Sequence, residues 1–144
     1  MSIKVIYPFG PTMAKIKLTN TIIKKINSEV DKIVSNQLLS KKYNYANKLA
    51  GEVEQEIELP TSFTNKYLKS TLQSSIKAFV KKSTGKVPKQ IRLKNFWVVR
   101  QFAHDYNPVH FHDGDISGVG YLKLPKNFSS GRKKYKTNGS IDFI

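Results

Sequence analysis

The stretch YNPVHFHDGDISGVGYLKLP, residues 106–125, decides how this 144-residue chain is read. Asn107-Pro108 interrupts whatever precedes it, because proline lacks a ladder N–H and restricts the residue before it. Val109 to His112 then reads as a short extended piece and Asp113-Gly114 as a turn. Ile116 to Leu124 reads as a strand ended by Pro125. All three histidines, His104, His110 and His112, lie within nine positions, among Asp105, Asp113 and Asp115. His110 and His112 stand at i and i+2. On extended backbone their side chains leave the same side, so two imidazoles can reach one ion of a borderline metal. The spacing alone suits two ordinary surface histidines as well.

Outward from this stretch, Ile91 to Phe102 reads as a long strand. Ile91, Leu93, Trp97 and Val99 share one parity, and Phe96, Val98 and Phe102 the other. Trp97 reads as packing. Residues 51–59 alternate Glu52, Glu54, Glu56 and Glu58 with Val53, Gln55, Ile57 and Leu59, which predicts a strand with one carboxylate face and one mostly apolar face. The plain reading of those four acids is a solvated face opposite basic neighbours. Between these segments, Thr64 is placed to cap a helix that buries Tyr67, Leu68, Leu72, Ile76, Phe79 and Val80 and ends at Lys81-Lys82. Nearer the start, Ile3 to Tyr7 and Ala14 to Leu18 read as strands. Thr19 or Asn20 caps a helix whose stripe is Ile22, Ile23, Ile26, Val30, Ile33 and Val34. Residues 35–48, rich in Asn, Lys and Ser, read as a loop. Residues 126–138 read as a basic loop, and residues 140–144 open a further strand. Helices early and strands late make the class α+β.

Composition narrows the function. A chain of this size with 39% hydrophobic residues suits one domain over residues 1–144. It contains no cysteine, which excludes a disulfide framework, thiolate zinc, iron–sulfur clusters and a cysteine nucleophile. No apolar run is long enough to span a membrane, and the first residues show no secretory pattern, so the expected location is cytoplasmic. Twenty-five Lys and Arg against ten Asp and Glu give a formal charge of +15. Such a field suits polyanions. It is equally a lysine-rich solubilising surface.

Residues 106–125 resemble the Fe(II)/2-oxoglutarate-dependent oxygenases, in particular a subgroup found in marine phages and bacteria. The resemblance rests on Tyr106, Asn107 and Pro108, on the H-x-H of His110 and His112, on Ser117-Gly118-Val119, and on Tyr121, Leu122 and Pro125. WVVRQF (residues 97–102) and IYPFG (residues 6–10) extend it over most of the chain. It implies a double-stranded β-helix, jelly-roll-like, with the N-terminal helices packed on it. Residues 1–90 would form the strand and helix part and residues 91–144 the first strands of the core. It implies a dioxygenase that takes Fe(II), 2-oxoglutarate and oxygen and oxidises a substrate the sequence does not name, in the host cytoplasm if phage-encoded. His110 would be the first metal ligand. His112 stands where the wider superfamily carries Asp or Glu, so it would be the second ligand, with Asp113 or Asp115 as the alternative carboxylate. Tyr121 would face the cofactor. No catalytic residue separate from the metal site is implied.

The family pattern continues to a distal histidine and a later arginine. Here no histidine follows His112, and Arg132 is the only arginine after Arg100. The sequence therefore reads as an incomplete β-helix with an open sheet edge and an exposed apolar face. The competing readings are a non-catalytic basic nucleic-acid-binding module, resting on the charge and on residues 126–136 with Tyr135, and a phage structural module. On the oxygenase reading, this chain should bind iron weakly and release little or no succinate from 2-oxoglutarate. An iron titration with a succinate assay checks it, and full turnover would show the ligand assignment to be misplaced.

Overall fold

The computed structural model describes residues 3–7 and 10–125. The chain divides into two compact units, Met1–Asp113 and Gly114–Ile144. The first unit carries all of the regular structure. It opens with β1 (Ile3–Ile6) and β2 (Met13–Ile16), paired antiparallel with Ile3 opposite Ile16. Helix α1 (Asn20–Val34) follows, and the Thr19 hydroxyl caps it by accepting from the Ile22 N–H. Its expected stripe is realised, with Ile26, Val30 and Ile33 buried.

Residues 35–48 depart from the loop expectation. Asn36 accepts from the Leu39 N–H and starts α2 (Gln37–Tyr43), and a 3-10 turn follows at Ala46–Lys48. No residue of α2 is buried, and Leu38 is 81% exposed. A helix without an apolar stripe leaves no periodic signal, which is why hydrophobic spacing misses it.

The acidic segment forms a shorter strand than its alternation predicts. β3 (Gln55–Glu58) pairs antiparallel with β4 (Trp97–Arg100), Glu56 opposite Val99 and Glu58 opposite Trp97. On the other edge of β3, the Asn44 side chain stands in for a neighbouring strand. Its amide donates to the Glu54 carbonyl, its oxygen accepts from the Glu56 N–H, and the Tyr45 N–H donates to the Glu56 carbonyl. The long strand expected over residues 91–102 is realised only at β4, because β3 offers just four residues to pair with.

Between β3 and β4 run α3 (Thr61–Tyr67) and α4 (Lys69–Thr84). They meet at the buried Leu68, whose φ of −114° departs from helical geometry. Thr64 is not a cap. It lies inside α3, and its hydroxyl donates to the Thr61 carbonyl. The expected stripe of α4 is half-buried at Leu72, Ile76, Phe79 and Val80. Gly85, with φ +73°, closes α4 in the left-handed conformation open to glycine. The Tyr7 hydroxyl donates to the Lys82 carbonyl and the Lys82 ammonium to the Ile3 carbonyl, which ties β1 to the end of α4. Lys25 of α1 sits over the Tyr67 ring at 4.3 Å.

The buried apolar set is Ile26, Val30, Ile33, Ala46, Val53, Ile57, Leu59, Phe63 and Leu68. The architecture is α+β. The described residues form two two-stranded sheets rather than a jelly roll. The second unit shows no strand over the described residues 114–125, where Ile116 to Leu124 is expected to form one. The basic loop at 126–138 and the strand opening at 140–144 lie outside the described residues. Among the described residues no helix is long and apolar enough to cross a membrane. Ile57 is wholly buried at the centre of β3, so Ile57→Ala should cost about 2–5 kcal/mol in urea unfolding, while Leu38→Ala should stay within about 0.5 kcal/mol.

Candidate metal centre

The histidine segment is held to the acidic strand by backbone. The Glu52 N–H donates to the Tyr106 carbonyl at 2.9 Å, and the Tyr106 N–H donates back at 3.2 Å. Between this bridge and the ladder of β3 with β4, residues 101–105 bulge outward. The Phe102 N–H donates to the Asp105 carboxylate, and His104 takes a φ of +75°. His104 is thereby set into the bulge, while Asn107 to Asp113 continues past the bridge.

The next residues bring two imidazoles together. His110 Nδ1 donates to the Pro108 carbonyl at 2.8 Å, which leaves its Nε2 facing outward from that bond. His110 Nε2 and His112 Nε2 lie 3.2 Å apart, with the rings edge to face and their centroids 4.8 Å apart. Two imidazole nitrogens bound to one ion at about 2.0–2.1 Å, separated by tetrahedral or octahedral angles, stand about 2.9–3.4 Å from each other. The pair therefore has the spacing of two ligands on one ion. When one nitrogen carries a proton, the same spacing is a hydrogen bond. Two protonated Nε2 groups cannot face each other in this way.

His112 lies on the Trp97 ring, with centroids 5.6 Å apart. Both histidines are exposed, as are Val109 and Phe111 of opposite parity, Phe111 to 92%. Asp113, the first alternative carboxylate, pairs with Lys94 at 2.6 Å. That hydrogen bond and charge hold its carboxyl below the usual range. Asp115 and Tyr121 belong to the second unit, and both are exposed. Among the described residues no three ligand side chains converge closely enough to hold an ion together. One open cleft of about 500 Å³ lies between Asn65, Lys69, Gln73 and residues 89–93, and a second shares Gln73, Lys89 and Ile91 with it. Neither is lined by a histidine.

Periodicity hides one residue. Glu56 belongs to the alternating acids read as a solvated face, and that reading holds for Glu52 and Glu54, which are exposed. Glu56 is only 3% exposed, and its Oε2 is buried without a hydrogen-bond partner. Burial raises its carboxyl above the ordinary glutamate value, and the nearby His110 charge opposes the rise. Gly51 leaves room for this group. A Cβ there would collide with the Asn107 side-chain oxygen and stand 2.9 Å from Glu56 Oε1. The missed signal is the Gly51 to Glu56 spacing beside Asn107, which only the bend at residue 54 and the Glu52–Tyr106 bridge bring together.

Comparison with protein-family models, with curated proteins and with solved structures finds no match for this chain.

A carboxyl raised by burial makes the folded state bind more protons than the unfolded one above pH 4.5, the ordinary value for this group. Its contribution to stability therefore falls as the pH rises. In chelator, the wild-type thermal midpoint should fall relative to that of Glu56→Gln between pH 4 and pH 7. Parallel profiles for the two proteins would show that the carboxyl is not raised.

Proposed function

We propose that this chain is a metal-binding protein of the Fe(II)/2-oxoglutarate oxygenase type, with His110 and His112 as two ligands of the ion. The observation that carries the reading is the 3.2 Å separation of the two Nε2 atoms. The Pro108 carbonyl supports it by fixing His110 Nδ1 as the protonated nitrogen, the outer-shell arrangement that leaves Nε2 free to ligate. Trp97 supports it by seating His112. Imidazole suits Fe(II), Zn, Cu and Ni. When bound, Fe(II) would supply the oxygen chemistry of the family.

The double-stranded β-helix core, the dioxygenase activity and a Tyr121 contact with 2-oxoglutarate belong to this proposal. The keto-acid fits less well than the metal, since neither cleft of the first unit is lined by His110 or His112. No step is therefore assigned to it. The formal charge of +15 supports a second reading, in which the chain binds nucleic acid through its lysines.

Titration with Zn(II) or anaerobic Fe(II) separates the two. One ion should bind per chain, and His110→Ala or His112→Ala should weaken it by at least about tenfold. Unchanged binding in the double alanine variant would overturn the metal reading. Salt-sensitive DNA binding that survives the same double replacement would favour the lysine surface.

A further inference from the structure

We propose that Glu56 is the third ligand of the ion held by His110 and His112, a carboxylate delivered from β3 rather than from the turn at residues 113–115. The inference rests on the metal reading of the histidine pair.

Side chains directly opposite each other in an antiparallel ladder share a face, and alternate residues along a strand share it too. Glu56 faces Val99 and Glu58 faces Trp97, so Glu56 and Trp97 lie on one side of the sheet. His112 rests against Trp97, and His110 Nε2 is 3.2 Å from His112 Nε2. The pair thus sits over the face from which Glu56 projects, and the His110 charge acts on the Glu56 carboxyl.

The carboxyl also needs a partner. Buried polar oxygens are nearly always bonded, and a buried carboxylate is stabilised by a cation or by a proton. Glu56 Oε2 has no hydrogen-bond partner, although the chain carries 25 lysines and arginines. The ion pair found among the described residues joins Lys94 to Asp113 instead. A divalent ion between the imidazoles and Glu56 would satisfy Oε2 and complete a set of two nitrogens and one carboxylate, which suits Fe(II), Mn, Co or Zn. Asp113 is engaged elsewhere, and Glu52 and Glu54 are exposed.

As the residues stand, the three groups are not within ligating distance of one point. Residues 107–112 have no helix or strand, and the Tyr106–Glu52 bridge anchors their start. Binding therefore draws this segment down onto β3, pivoting at Tyr106.

The test uses the 144-residue chain and Zn(II) alone, with affinity measured by competition against a chelating dye. Glu56→Gln should weaken Zn(II) by about 100-fold or more, since loss of even an outer-shell partner costs about 10–100-fold. Glu54→Gln, an exposed neighbour, should leave the affinity unchanged. Zn(II) binding that depends on His110 but weakens by less than about tenfold in Glu56→Gln would overturn the role of Glu56 and leave the histidine reading standing. No Zn(II) binding by the wild type would remove both. If Glu56→Gln does not fold, the wild-type carboxyl ¹³C resonance of Glu56 decides. A shift on adding one equivalent of Zn(II) supports ligation, and an unmoved resonance overturns it.

Discussion

The antiparallel pairing of β3 with β4, continued by the Glu52–Tyr106 bridge, is the constraint on which the rest of this molecule depends. It joins segments more than forty residues apart in the chain. It sets Ile57 into the core on one face and Glu56 and Trp97 on the other. Beyond β4 the register slips through a bulge, and the slip decides which residues reach back over the sheet. Without it the histidine segment would have no fixed relation to the acidic strand. Bulges commonly redirect a side chain near a functional site, and here the bulge redirects a whole segment.

The electrostatics around this face run against the overall charge of the chain. The surface is strongly positive, yet the buried group is a carboxylate whose Oε2 no lysine or arginine reaches. A flexible ammonium could have been recruited at little entropic cost from so lysine-rich a sequence. The side chains nearest in the argument are instead two imidazoles and an asparagine amide, the kind of surroundings that accept a small cation or a shared proton. Solvent covers the imidazoles but not the carboxylate. The two halves of the site therefore differ in exposure, and its assembly is a matter of bringing an exposed half onto a buried one.

Much of the fold was legible in the sequence where apolar residues recur. The stripe Ile26, Val30, Ile33 marked α1, Thr19 marked its cap, and the alternation Ile16–Leu18 lay beside β2. The break at Leu68 and the helix α2 were not legible, because one involves a single backbone angle and the other has no buried face. Strand lengths at residues 91–102 were overread, since alternation describes what a strand could bury and not how much partner it will find. For the site, the H-x-H spacing correctly placed two rings side by side. Glu56 was invisible as a special residue, because its neighbours in the alternating run look identical in sequence and only the bridge at Tyr106 separates its surroundings from theirs.

Trp97 is the single tryptophan of the chain, and its ring lies against His112. An indole in contact with an imidazole loses emission when that imidazole becomes positively charged, because the cation accepts an electron from the excited ring. The molecule thus carries its own optical gauge. Ultraviolet excitation selects one chromophore, and its brightness follows the ionic state of the ring stacked beside it, with no label attached.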